Sequence, residues 1–181
     1  MVDNQLSTFW LVLGYACNNR CKDCYALPCD FDAVWMDVGY AKEVMRTMKE
    51  GGAKTCLLIG GEPTLHPHSD KIISFGAELG LVVVIVSNGR RFKNTDYVKK
   101  VFDNGLDRAV ISINGKDAIT HNSLTNSPQS FQETISGIEN CSEIGKASSL
   151  TTICKINATQ VIDIIKLSYR KLSSQMRQFL L

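Results

Sequence analysis

A chain of 181 residues, 44% hydrophobic and 21% charged with a formal charge of +2, has the balance of one soluble globular domain spanning 1–181. A chain of this size buries about 70% of the surface its unfolded form exposes, enough for a substantial core. Arg90, Arg91 and Lys93, like the Lys99–Lys100 pair, read as solvated faces, which excludes a nucleic-acid footprint, and the longest apolar run, 81–86, is far too short to span a membrane. The first residues carry no positive-then-apolar secretory pattern, and the seven cysteines are odd in number and unevenly spaced. A reducing, cytoplasmic setting is therefore expected, with cysteines as ligands or core residues.

Taken in chain order, the first element is a predicted strand at 8–15, which runs into Cys17, Cys21 and Cys24. The seven steps between the outer two thiols would span about 23–25 Å if extended, so they must curl into a loop to share one metal centre. Asn18, Asn19, Lys22 and Asp23 suit that loop. Three thiolates leave one iron of a cubane cluster without a protein ligand, an open position for chemistry. Spacing alone leaves another reading open, in which Cys29 completes a zinc site or an ordinary four-cysteine cluster.

Next come alternating helical stripes and short β-rich runs. Val38, Ala41, Met45 and Met48 mark a helix, followed by a strand at 54–59. Ile72, Phe75 and Leu79 precede a strand at 81–86; Val98, Val101 and Phe102 precede one at 108–113. Phe131, Ile135, Ile138 and Cys141 precede a fifth at 150–156, and Val161, Ile164, Ile165 and Leu172 mark a last helix. Gly51–Gly52, Gly80, Gly105 and Gly145 are helix stops. Near-continuous apolar strands alternating with amphipathic helices imply an α/β fold with a parallel, helix-covered sheet, either a barrel or a doubly wound sheet. Residues 177–181 read as the start of a sixth strand, cut off as it begins. Cys56, Cys141 and Cys154 read as small buried hydrophobes, and His66, His68 and His121 as surface or helix-flanking residues.

In a parallel sheet the C-terminal strand ends share one face, where active sites sit. Here those ends are the cysteine loop, Gly60-Gly61-Glu62-Pro63, Ser87-Asn88-Gly89, Ser112-Ile113-Asn114-Gly115, and the region of Lys155 and Asn157. Gly60 and Gly61 let a ligand approach the backbone. Glu62 is able to attract an ammonium group, and Ser87, Asn88 and Ser112 suit a ribose or amino-acid moiety.

Cys17-Asn18-Asn19-Arg20-Cys21-Lys22-Asp23-Cys24-Tyr25, followed by Gly60-Gly61-Glu62-Pro63-Thr64-Leu65, Ser87-Asn88-Gly89 and Ser112-Ile113-Asn114-Gly115, resembles the radical S-adenosylmethionine (radical SAM) enzymes. The likeness runs from about Thr8 to Asn157. It implies a partial (β/α)6 barrel, open on one side. It also implies a [4Fe–4S] cluster held by Cys17, Cys21 and Cys24, with S-adenosylmethionine (SAM) chelating the fourth iron. Gly60, Gly61, Glu62 and Pro63 would lie at the methionine amino end, Ser87, Asn88, Ser112 and Asn157 along the SAM site, and Tyr25 near cluster and nucleotide. Reductive cleavage of SAM would yield a 5′-deoxyadenosyl radical that takes a hydrogen atom from a substrate. A peptide or protein side chain is the first expectation for that substrate, a small-molecule cofactor precursor the second, with a one-electron donor such as flavodoxin or ferredoxin. The sequence departs from the family pattern at Asp23, where an aromatic residue or His is usual. It also has no Arg in residues 121–126, where many members hold the SAM carboxylate.

Overall fold

The computed structural model describes residues 7–25, 34–144 and 146–172. Among these residues five strands form one sheet: β1 (Thr8–Val12), β2 (Thr55–Ile59), β3 (Val82–Ser87), β4 (Arg108–Ser112) and β5 (Ala147–Leu150). Every neighbouring pair is parallel, and the spatial order β1-β2-β3-β4-β5 follows the chain. A doubly wound sheet reverses its order at a switch point. This one never reverses, so it traces a partial barrel wall. The connections carry α1 (Val38–Glu50), α2 (Ser69–Glu78), α3 (Thr95–Asp103), α4 (Ala118–Thr125) and α5 (Ser130–Glu143), and α6 (Val161–Leu172) follows β5.

The two-residue side-chain period of a strand divides the sheet into two unlike faces. Phe9, Leu11, Cys56, Leu58, Val83, Ile85, Ala109 and Ile111 are buried on the outer face, against Ala41 and Met45 of α1, Ile72 and Ile73 of α2, Val98 and Val101 of α3 and Ile138 of α5. That layer is the core, and each large side chain in it contributes about 1.5–3 kcal/mol. The alternate residues, Trp10, Leu57, Ile59, Val86 and Val110, point to the concave face and line a cavity. Helix starts are held by side chains: Asp37 accepts from the Tyr40 amide at 3.0 Å, Asn94 from Tyr97 at 2.9 Å and Asp117 from Thr120 at 2.9 Å.

Three expectations need correction. The fifth strand lies at Ala147–Leu150, not 150–156. Beyond Leu150 the backbone groups are taken by side chains: Asn114 Oδ1 accepts from the Thr152 amide at 3.0 Å, and Asn157 Oδ1 from the Cys154 amide at 2.8 Å. These bonds pull the chain out of the ladder, and Cys154 is consequently half-buried, outside the core. Two histidines read as surface residues are buried, His66 and His121. Their ring nitrogens are paired: His66 Nε2 donates to the Met36 carbonyl at 2.9 Å, and His121 bonds at both nitrogens. Gly145 and the candidate sixth strand at 177–181 lie outside the described residues.

Candidate active site

Where β1 ends, the chain must pass the end of β2 at very short range. An added Cβ at Gly61 would sit 2.2 Å from the Tyr15 carbonyl oxygen, and one at Gly60 2.2 Å from that of Gly14. Gly60 also has φ of 142°, a conformation that side-chain-bearing residues rarely adopt. The approach is closed by hydrogen bonds from the Gly61 amide to the Gly14 carbonyl and from the Glu62 amide to Ala16, each 2.9 Å. The glycine pair therefore launches the cysteine loop from a fixed position.

Cys17, Cys21 and Cys24 are all half-buried, and all face one cavity of about 650 Å³. Tyr25, Gly60, Gly61, Ser87, Asn88 and Ser112 line the same cavity, so nine of the twelve residues expected from sequence meet there. The Tyr25 hydroxyl donates to the Gly60 carbonyl at 2.9 Å. Asn88 Nδ2 donates to Asn18 Oδ1 at 2.7 Å and stands 3.9 Å from Cys17 Sγ, tying the β3 end to the cysteine loop. Burial raises the Cys17 thiol, and the Asn19 amide donates to its sulfur at 3.3 Å. The Cys21 thiol is pushed up to about 12 by burial, then by Cys17, Cys24 and Asp23. Among the described residues no group of His, Cys, Asp or Glu is arranged to hold a single metal ion. Three thiols around one cavity, with Cys17 and Cys24 both near enough to raise the cost of ionising Cys21, fit a multi-iron cationic cluster that spreads its sulfur ligands. Cys29, the fourth ligand in the zinc or four-cysteine reading, lies outside the described residues.

The other three expected residues do not line the cavity. Glu62 is fully buried: Oε1 accepts from the Thr64 hydroxyl at 2.6 Å, the Thr64 amide at 3.2 Å and the Ser87 hydroxyl at 2.8 Å, and Oε2 accepts from the Asn88 amide at 2.7 Å. Burial raises its carboxyl above the usual range despite these donors. It couples the ends of β2 and β3 and has no surface to offer an ammonium group. Pro63 is buried at the start of a 3-10 turn, Pro63–Leu65. Asn157 is also fully buried, with Nδ2 donating to the carbonyls of Asn114 at 3.0 Å and Thr152 at 2.9 Å.

Several lining residues escaped the sequence reading as site residues: Trp10, Asn19, Asp23, Asn114, Thr125 and Thr152. Asn114 and Thr152 reach the cavity because β5 ends earlier than expected, and Thr125 because α4 presses its last turn on the cysteine loop. There the Arg20 amide donates to the Thr125 carbonyl at 3.0 Å and the Lys22 amide to Leu124 at 2.9 Å. The Ser-Ile-Asn-Gly strand end was the one signal for Asn114.

The sequence profile of the Radical SAM superfamily matches residues 11–167. An AdoMet-dependent heme synthase of Methanosarcina barkeri is 29% identical over 158 residues, covering 86% of this chain and 45% of that protein. An S-adenosylmethionine-dependent nucleotide dehydratase of Lacinutrix mariniflava is 33% identical over 110 residues, 58% of this chain and 23% of the relative. Among solved structures, Streptococcus suis SuiB bound to precursor peptide SuiA superposes with a TM-score of 0.79 at 19% identity, over 93% of this chain and 38% of that one. The chain thus spans less than half the length of each of these proteins.

Proposed function

Because the chain belongs to the radical SAM superfamily, whose members use a [4Fe–4S] cluster and SAM, we propose that it is the catalytic core of an enzyme that cleaves SAM reductively and takes hydrogen from an organic substrate. Bound together, cluster and SAM supply one-electron cleavage of the sulfonium C–S bond and a 5′-deoxyadenosyl radical that abstracts the hydrogen. The observation that carries the reading is the convergence of Cys17, Cys21 and Cys24 with Gly60, Gly61, Ser87, Asn88 and Ser112 on one cavity. The three cysteines would hold three irons and leave the fourth for the amino and carboxylate groups of SAM. Backbone groups at Gly60 and Gly61 would orient the methionine end, with Ser87, Asn88 and Ser112 along the ribose and Tyr25 over the cluster side. Glu62, Pro63 and Asn157 would act through these residues, by fixing the strand ends that carry them.

The substrate we favour is a peptide or protein side chain. The cavity floor is apolar, built by Leu57, Ile59, Val86, Val110, Leu150 and the indole of Trp10, and Asp23 is the one charged side chain among its described lining residues. That surface suits an uncharged aliphatic or aromatic group. A small-molecule cofactor precursor is the second reading, favoured by the relative named as a heme synthase. A one-electron donor such as flavodoxin or ferredoxin, in a reducing cytoplasm, completes the proposal.

The test is anaerobic reconstitution with iron and sulfide, followed by dithionite and SAM. The expected product is 5′-deoxyadenosine, abolished by Cys17→Ala, Cys21→Ala or Cys24→Ala and retained in Cys29→Ala. A reconstituted cluster whose EPR signal ignores SAM, and which Cys29→Ala destroys, would refute the reading in favour of a four-cysteine centre.

A further inference from the structure

The cysteine loop rests on a charged pair that the expected chemistry does not use. Arg90 begins the 3-10 turn Arg90–Lys93 directly after β3, and its side chain is 14% exposed, with that of Glu133 on α5 at 13%. Arg90 Nε donates to Glu133 Oε2 at 2.5 Å, which orients the guanidinium. Its Nη1 then donates twice into the loop, to the Asn18 carbonyl and to Asn19 Oδ1, the latter at 3.0 Å. Asn19 is itself buried; its amide donates to Cys17 Sγ at 3.3 Å and its Nδ2 to Ser130 Oγ at 3.3 Å. Lys93 Nζ meets the other Glu133 oxygen at 2.5 Å.

Backbone packing fixes this arrangement. An added Cβ at Gly137 would lie 2.2 Å from the Gly89 carbonyl oxygen, so α5 presses on the turn that leads into Arg90. Glu133 is one helical turn before Gly137, on the same face. Arg90 was read from sequence as a solvated residue; the short reach of α5 to the β3 end places it under the loop.

We propose that Arg90, braced by Glu133, is a positioning residue for the cysteine loop and a local positive charge that raises the reduction potential of the cluster held there, beside Arg20, whose Nη1 donates to the Cys17 carbonyl at 2.7 Å. This rests on the assignment of Cys17, Cys21 and Cys24 as the cluster ligands. A planar guanidinium is suited to serve the carboxylate from one edge and the loop from the other, which an ammonium group cannot reproduce. Its charge is screened little at this depth, so it favours the form of the cluster carrying the added electron. Glu133 opposes it with the other sign.

The experiment uses the anaerobically reconstituted chain and its variants Arg90→Lys, Arg90→Gln and Glu133→Gln. Iron release to a chelator and the midpoint potential from an EPR-monitored titration are measured, with folding checked by circular dichroism. Loss of an outer partner of a metal ligand set typically weakens metal binding about 10–100-fold. Arg90→Gln is therefore expected to release iron at least about tenfold faster and to titrate at a more negative potential. Arg90→Lys should release iron faster while keeping the wild-type potential, and Glu133→Gln should shift the potential in the positive direction. Opposite shifts in the two neutralised variants are what mere loosening of the loop would not produce. Wild-type potential and release rate in Arg90→Gln would overturn the proposal. Should that variant not fold, wild-type release in both Arg90→Lys and Glu133→Gln would overturn it equally. Wild-type protein that takes up no iron and sulfide would defeat the assignment of the cysteines, and this proposal with it.

Discussion

Glu62 shows how far a residue's neighbours decide its work. A carboxylate beside Gly60-Gly61 suits either a ligand contact or an internal brace, and nothing local chooses between them. The choice is made by Ser87 and Asn88, which donate to it from the end of β3. Glu62→Gln replaces one acceptor oxygen with a donor facing other donors, so a loss of about 1–3 kcal/mol is expected in urea unfolding of the apoprotein. His121 illustrates the same dependence. The Asn114 amide donates to its Nδ1 at 3.1 Å, so its Nε2 carries the proton toward Ser130 Oγ at 3.2 Å. Burial lowers its pKa from 6.5 to about 4. Because the folded form holds the neutral ring, the unfolded chain takes up a proton first as pH falls below 6.5. Stability is therefore full above pH 6.5 and lost progressively down to about pH 4, by about 3 kcal/mol in all. Urea titrations at pH 7 and pH 5 should show a smaller drop in His121→Gln than in wild type. The cysteine spacing was legible in sequence because it is local; the burial of His66 and His121 was not, because their partners lie on other elements.

Four strands and five of the six described helices were legible as elements, since apolar period and glycine stops are short-range signals. Helix α4 was not. It buries Thr120, His121 and Thr125 as well as Leu124 and leaves Ile119 exposed, so it has no apolar stripe to read. Asp117, which accepts the Thr120 amide, was the one available cue. The fifth strand was displaced for a related reason: the alternation in 150–156 looks like a strand, but Asn114 and Asn157 claim its backbone groups. Asn157→Ala removes three hydrogen bonds, one to the Asn114 carbonyl beyond β4 and two that close the 152–157 turn ahead of α6. Amide exchange is expected to accelerate in residues 152–172 while β2 and β3 keep their protection. Equal acceleration throughout would mean that the turn has no independent stability.

For the whole molecule, the order of the sheet separates two tasks. Among the described residues helices cover its outer face, and the concave face lines the cavity. SAM should therefore stabilise the fold only when the cluster supplies its anchoring iron. With SAM at 100 times its dissociation constant, the cluster-loaded protein should gain about 2.7 kcal/mol, read as a higher melting temperature, and the apoprotein nothing comparable. A barrel rather than a doubly wound sheet could not be read from element lengths, which suit both; only the unreversed strand order decides it. The same separation has an optical consequence. The chain has two tryptophans. Trp35 packs edge-on to His66, whereas Trp10 stands on the cavity wall, 69% exposed. Its emission should be red-shifted in the empty protein and quenched by energy transfer to the visible absorption of the iron–sulfur chromophore. Loading of the centre can then be followed in real time without a label, and Trp10→Phe should abolish most of the signal.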